Sequence, residues 1–278
     1  MLDIVTIKTI EDFVYQKPRS IQEIAQHIGK NWRTADRYIG DIEKNFGTLA
    51  TRVFRGGTRG ALKIVYWASV EKISSSVFQE RLEKEILRTR RKEDFSAFDI
   101  FQHISNKAKE VHIEKEKTEE RLGFQNIKAL FEKVQKQLLI FSGNLSFIHY
   151  RQGDQTIFDI LDALVKKGTT IKILCRVDFA ARENIEKVLA LNFKYGKEMI
   201  EIHHREHPLR ATIVDGKMFH IKEIKEPTGK IHELDKKIFI FYTIKDKEWS
   251  EWLTKIFWKM FAESIGSEKR LRELQRLR

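Results

Sequence analysis

The stretch from Ser20 to Trp67, SIQEIAQHIGKNWRTADRYIGDIEKNFGTLATRVFRGGTRGALKIVYW, decides how this chain reads. Ser20 and Glu23 stand at the S-x-x-E spacing of a capping box, in which each side chain takes up an amide left unpaired at a helix start. Ile24, Ala25 and Ile28 then supply one apolar face, and Gly29 suits a left-handed stop. Past that turn Asn31 caps a second predicted helix, with Ala35, Tyr38, Ile39, Ile42 and Phe46 at helical spacing. Burying that stripe leaves Trp32, Arg33, Thr34 and Arg37 on the outward side of the N-terminal end. Arginine donates a forked pair of bonds to guanine and threonine touches a thymine methyl or a phosphate, which is what a recognition helix requires. Two β-rich runs, 49–54 and Ala61–Trp67, flank Arg55, Gly56, Gly57, Thr58, Arg59 and Gly60, where glycines permit a tight tip and arginines charge it.

Taken in this order, the segment resembles a winged helix-turn-helix domain of prokaryotic or archaeal transcription regulators. The resemblance implies a recognition helix over 31–46, a wing over 49–67 and double-stranded DNA as partner. The DNA contacts it implies are Asn31, Trp32, Arg33, Thr34, Arg37, Arg55, Thr58 and Arg59. The competing reading is a helical module whose charges only face solvent. Upstream, Val5, Ile7, Ile10, Phe13 and Val14 form a mostly helical pattern that ends before Lys17 and Pro18. Ile21 suits a small strand pairing with the wing, so the module is expected to span 1–69.

The 278 residues allow two ordinary domains or one large one, and 41% hydrophobic content is enough for packed cores. Lys and Arg number 52 against 40 Asp and Glu, and the net charge of +12 attracts a polyanion without choosing between DNA, RNA and a membrane surface. A single cysteine, Cys175, excludes an intrachain disulfide and a cysteine-based zinc site, and fits a reducing compartment. Residues 1–20 lack a basic leader ahead of an apolar core, and no apolar run approaches the ~20 residues needed to cross a bilayer. A soluble cytoplasmic protein is therefore expected. Abundant Lys, Glu and Ile is a thermophile-like bias, against which the scarcity of proline argues.

Over 70–123 the composition turns charge-dense, with Phe78, Leu82, Ile86 and Leu87 at helical spacing from near Ser75 or Ser76. The island of Phe95, Phe98, Ile100, Phe101 and Ile104 interrupts the charge. This segment reads as a charged helical arm that spaces two winged modules and docks through its island; the competing reading is a disordered linker. Beyond it, 124–265 alternates elements: an amphipathic run over 127–137, a strand at 138–144, a helix over 156–167 stopped by Gly168, a strand over 170–177 and a helix over 182–192. Further strands are expected at 199–205, 210–215, 218–224 and 237–243. A last helix from Asp246 sets Trp249, Trp252, Leu253, Ile256, Phe257 and Met260 on one face, and a basic tail over 266–278 closes the chain. The expected fold class is α+β multidomain: an N-terminal winged module, a helical arm and a C-terminal α/β domain.

Within that last domain HPLRATIVDGK, residues 207–217, resembles part of a phospholipase D-like half-domain. Enzymes of that superfamily carry H-x-K-x4-D, where His is nucleophile or general acid and Lys holds phosphate oxygens. Asp215 matches the final position, but Arg210 stands at the Lys position and Pro208 at the His position, and proline can neither attack phosphorus nor carry a proton. His207 is one residue off, which in an extended strand sends it to the other face. The whole arrangement is similar to the TrmB-like sugar-responsive regulators of archaea. That resemblance implies a C-terminal domain without catalysis or cofactor, and a small-molecule effector near His207, Arg210 and Asp215. Because one phospholipase D-like half pairs with a second, it also implies a homodimer presenting two recognition helices to a palindromic site.

Two other classes compete: a phosphodiesterase or nuclease, opposed by Pro208 and Arg210, and a sequence-independent architectural DNA-binding protein, for which the +12 charge suffices. His203, His204, His207 and His220 are the densest histidine group, but adjacent strand residues face opposite ways, so surface or pocket roles are expected rather than zinc or nickel. Cys175 is expected to be buried. Trp249, Trp252, Phe257, Trp258 and Phe261 read as core or dimer interface, not as a base-stacking platform. Arg270, Arg272, Arg276 and Arg278 read as a solvated helix or as extra phosphate contacts.

Overall fold

A computed structural model describes residues 3–55, 61–68, 75–115, 124–227 and 236–276. Helix α1 (Ile4–Gln16) starts at Asp3, whose carboxylate accepts from the Thr6 amide at 2.8 Å. Strand β1 (Arg19–Ser20), α2 (Ile21–His27) and α3 (Trp32–Asn45) follow, then β2 (Leu49–Arg55) and β3 (Ala61–Trp67). The capping box is closed in both directions: the Ser20 amide donates to Glu23 Oε2 at 2.7 Å and the Glu23 amide to Ser20 Oγ at 3.2 Å. That box needs Ser20 extended and Ile21 helical, so the short strand falls on Arg19–Ser20 and not on Ile21. It pairs with Val65 and Ile64 of β3, which is antiparallel to β2. Ile10, Ile24, Ala35, Ile39, Ile42 and Val65 close a core between helices and sheet. Phe46 departs from the expected stripe: α3 ends there, Gly47 turns the chain at φ +67°, and the ring is left 54% exposed.

The chain continues through α4 (Ser75–Arg88), α5 (Ala97–Phe101), β4 (Lys109–Lys115), α6 (Phe124–Phe131) and β5 (Gln137–Phe141). Then come β6 (Arg151–Gln152), β7 (Gln155–Thr156), α7 (Ile157–Lys166), β8 (Thr170–Cys175), α8 (Arg182–Tyr195) and β9 (Ile200–His204). The last elements are β10 (Ala211–Val214), β11 (Met218–Lys225), β12 (Ile238–Ile244), α9 (Lys247–Ala262), β13 (Ile265–Gly266) and α10 (Ser267–Gln275). One mixed sheet runs β13-β9-β8-β5-β10-β11-β12-β4, parallel across β9, β8 and β5 and antiparallel elsewhere. Alternate residues feed two cores: Leu139 and Phe141 join the side of α5 and α9, while Leu138 and Ile140 join the side of α7 and α8. The fold class is α+β, as the alternation of elements indicates.

The expected arm is built into this body. β4 is the edge strand on β12, with Lys115 opposite Ile238 and Lys109 opposite Ile244. α4 lies against α9, where Trp252 Nε1 donates to the Gln79 carbonyl at 3.2 Å. α5 buries Phe98 and Phe101 beneath Phe54 of β2, with ring centres 6.0 and 6.2 Å apart. The reason is apolar area: a free spacer would leave those rings in water, and burying each is worth roughly 1.5–3 kcal/mol. The basic tail is also docked, since β13 pairs with β9 and Leu274 of α10 is buried; Arg278 lies outside the described residues. A buried charge joins the first module to the sheet: Lys225 Nζ of β11 is 3.0 Å from Glu23 Oε2 and 3.0 Å from Glu223 Oε1.

Candidate functional site

Two places gather candidate functional side chains, the N-terminal half of α3 and a cavity in the large sheet. Asn31 caps α3 with its Oδ1 accepting from the Thr34 amide at 2.9 Å, so that oxygen serves the helix and not a ligand. Trp32 is half-buried against the helical core, a correction to its expected outward place, and its ring centre lies 5.5 Å from the Arg33 guanidinium. Arg37 is likewise 5.5 Å from the Tyr38 ring. Arg33 and Arg37 are exposed, one helical turn apart with Thr34 beside them, and neither has a carboxylate partner among the described residues. Lys63 of β3, by contrast, is neutralised by Asp36 at 2.7 Å. Arg33 in the first turn also opposes the positive end of the helix, an arrangement that is unfavourable until an anion sits there. Arg55 ends β2, and its side chain, with Thr58 and Arg59, lies outside the described residues.

In the large sheet the three expected effector contacts separate. His207 is buried: Nε2 donates to the Leu174 carbonyl at 3.1 Å, which leaves Nδ1 to accept from Lys92 Nζ at 3.1 Å. Lys92 also donates to the carbonyls of His207 and Leu209 at 2.8 and 2.6 Å. Burial pushes Lys92 down to about 7, with Arg210 adding repulsion, and burial holds His207 well below the usual imidazole range. A neutral imidazole with both nitrogens engaged neither attacks phosphorus nor holds an effector. Asp215, at a left-handed φ of 51°, accepts from the amides of Gln135, Lys136 and Gln137 at 3.0, 2.8 and 2.8 Å. Burial works against its ionisation and the amides outweigh burial, holding the carboxyl below its ordinary value. It pins the turn after β10 to the start of β5. Of the three, Arg210 alone remains available, 3.8 Å from the Glu93 carboxylate.

Arg210 opens on a cavity of about 830 Å³ at the carboxyl ends of the parallel strands. Ser142, Arg176 and Arg205 follow β5, β8 and β9 directly into its lining, and Lys222 enters from β11. Burial pushes Lys222 down to about 8, with Arg210 contributing. Sequence reading passed over both lysines. For Lys222 the signal is the alternation of β11, which buries Phe219, Ile221, Glu223 and Lys225 on one face and turns His220, Lys222 and Ile224 to the cavity. Lys92 carried no local signal, since it lies in the loop between α4 and α5 and meets His207 across 115 positions of sequence.

No family model matches the chain, and no curated protein matches it. Among solved structures it is similar to Nuc from Salmonella typhimurium, a phospholipase D family member, at 10% identity and TM-score 0.41, over 57% of this chain and 97% of Nuc. It is similar over 95% of its length to 94% of TrmBL2, described as an archaeal chromatin protein with a novel mode of DNA binding, at 14% identity and TM-score 0.39. NucT from Helicobacter pylori is 12% identical, over 57% of this chain and 99% of NucT, at TM-score 0.39. Such loose superpositions decide nothing about chemistry, which has to come from the chain's own side chains.

Those side chains also settle the remaining clusters. His203 Nε2 is 2.9 Å from Glu201 Oε1, His204 Nδ1 accepts from the Val177 amide at 2.9 Å, and His220 Nε2 is 2.6 Å from Thr243 Oγ1, so each histidine is engaged separately. Trp249, Trp252, Phe257 and Phe261 are buried, and Trp258 is 37% exposed, which makes the aromatic set chiefly core. Cys175 is buried, and burial pushes its thiol up to about 12. Among the described residues no helix is long and apolar enough to cross a membrane.

Proposed function

We propose that this chain is a DNA-binding transcription regulator of the TrmB-like kind, cytoplasmic, in which residues 1–69 read double-stranded DNA through a winged helix-turn-helix. The observation that carries the proposal is the pair Arg33 and Arg37: exposed, on the outward face of a capped helix, and without carboxylate partners among the described residues. A face kept charged only for solvation is ordinarily interleaved with opposite charges, as Lys63 is with Asp36. In this role Arg33 and Arg37 donate to base edges, Thr34 touches a methyl group or a phosphate, and Arg55, Thr58 and Arg59 hold the backbone from the wing. The net charge of +12 draws the duplex in. The large sheet acts without catalysis, a reading supported by Pro208 at the nucleophile position and by both nitrogens of His207 being engaged. A homodimer would set two α3 helices on one palindrome, and sedimentation equilibrium tests it.

Selection of bound fragments from random duplex DNA, read by sequencing, tests the function. A palindromic motif with half-sites near one helical turn apart is the expected result. Enrichment without a motif would leave the architectural reading, which the +12 charge favours. Cleavage of the DNA that vanishes in Arg210→Ala would restore the phosphodiesterase.

A further inference from the structure

Besides α3, exposed cations gather at the amino ends of the parallel strands, the end of the sheet away from the cavity. Four loops meet there: 132–136 before β5, 166–169 before β8, 196–199 before β9 and 215–217 between β10 and β11. They carry Lys133, Lys136, Lys166, Lys167, Lys197 and Lys217, all exposed and none in an ion pair among the described residues. Lys133 and Lys217 attract Glu110 and Asp215 only at longer range. Glu110 is already held by Lys245 at 2.5 Å, and Asp215 by three amides. Glu132 lies 4.0 Å from Lys128, which leaves Glu198 as the remaining carboxylate of these loops. On helices of the same body cations are answered, as Lys194 is by Asp162 at 2.8 Å and Lys259 by Glu83 at 2.9 Å.

Main-chain bonds hold the loops in a row. The Thr170 amide donates to the Lys136 carbonyl at 3.0 Å and the Ile171 amide to the Met199 carbonyl at 2.8 Å, while Asp215 clamps 135–137. Neighbouring strands lie about 4.8 Å apart, so the row across β9, β8, β5 and β10 is roughly 14 Å long. One strand of a duplex advances about 3.4 Å per phosphate, and that length faces about four of them. None of the four loops exposes a large apolar side chain; Phe193, on the last turn of α8, is a single ring, too little apolar area for a lipid surface. The row is also remote from the joint between residues 1–69 and the sheet. Lys217 precedes β11 and Lys225, which meets Glu23, ends it, so roughly 24 Å of strand separates them.

We propose that this lysine edge grips the phosphate backbone of a second stretch of duplex DNA while α3 engages the first, so that the protein bridges two stretches. The bridge rests on the DNA reading of α3; the grip of the edge on a duplex does not. Its contacts go to phosphates and not to base edges, so the second stretch is held without regard to sequence.

The test is amine acylation of the full-length protein, mapped by peptide mass spectrometry, with mixed-sequence duplex DNA, with phosphatidylserine–phosphatidylcholine vesicles, or with neither. Capture of a labelled mixed-sequence duplex by protein on bead-bound duplex accompanies it. Duplex should protect the edge lysines both in the unaltered protein and in the variant carrying Arg33→Ala and Arg37→Ala, whereas capture should weaken in that variant. Combining Lys133→Gln, Lys136→Gln, Lys167→Gln and Lys217→Gln should cost about tenfold or more in capture and lower its log–log salt slope by roughly 3–4, one phosphate contact per lysine. Arginine at the same four positions should retain capture, which separates loss of charge from loss of fold. Capture unaffected by the α3 variant overturns the bridge through the failure of the DNA reading. Edge lysines left open by duplex, protection by vesicles and not by duplex, or capture unchanged in the glutamine variant overturns it through the edge.

Discussion

Lys225→Met isolates the link between the N-terminal module and the sheet. Lys225 Nζ lies 3.0 Å from Glu23 Oε2 and 3.0 Å from Glu223 Oε1, with its side chain 11% exposed. Glu223 also receives Ser96 Oγ at 3.2 Å, which a hydroxyl alone does not make a neutralising partner. Methionine keeps most of the lysine volume and leaves two carboxylates without their cation. Breaking a buried pair from one side costs about 3–5 kcal/mol; Glu23 is partly open to water, so about 3 kcal/mol is expected. At roughly 2 °C per kcal/mol for a chain of this size, calorimetry at neutral pH should record a fall of about 6 °C in Tm. Adding Glu223→Gln removes the more buried orphan and should recover part of that loss. The pH dependence has two signs. Burial disfavours the Lys225 ammonium but the two carboxylates prevail and raise it, so its contribution is whole below the unfolded lysine value and is lost only as pH climbs through the raised one. Burial disfavours the Glu23 carboxylate but Lys225 prevails and lowers it, so that contribution is present above the unfolded glutamate value and is lost as pH falls through the folded one. An unchanged Tm in Lys225→Met, or a further drop in the double variant, would refute the reasoning.

Arg33→Ala and Arg37→Ala should each cost about 1–3 kcal/mol of affinity for the selected site and relax base preference there, measured by competition binding at fixed salt; unchanged affinity would move the reading helix elsewhere. Phe54→Ala should destabilise by about 3–5 kcal/mol in urea unfolding, because the ring is 5% exposed between Phe98, Phe101 and Tyr242; a wild-type midpoint would mean that β2 is not docked on α5. Asn31→Ala should lose about 1 kcal/mol with the cap of α3, seen as reduced stability without change of fold by circular dichroism. Burial lowers Lys92 to about 7, so the unfolded chain holds an extra proton between that value and the ordinary lysine value, and stability should rise with pH across that window. Lys92→Met should flatten that slope, and an unaltered slope would assign it to other groups.

Local chemistry carried most of the elements. The Ser20 and Glu23 box, the Asn31 cap, the Thr156 box of α7 and the Asp246 cap of α9 are interactions within three residues, so their spacing in sequence is their geometry in space. Periodicity likewise placed β8, β10, β11 and β12, because one face of each is buried. The segment 109–115 escaped that logic. Its apolar residues are Val111 and Ile113 among charges, and only β12 alongside makes it a strand. The same holds for the sites. The exposure of Arg33 and Arg37 was legible because it follows from the buried stripe of their helix, whereas Asp215 and His207 were assigned by motif and turned out to bind backbone groups that no spacing encodes. What the sequence by itself determined are the caps, the helical and strand periods and the arginines outside them, all set by neighbours within a turn. Tertiary structure alone decided that Lys92 meets His207, that Lys225 meets Glu23 and that Lys222 and Arg210 share a cavity, since each depends on strands and loops far apart in the chain being held together by the sheet.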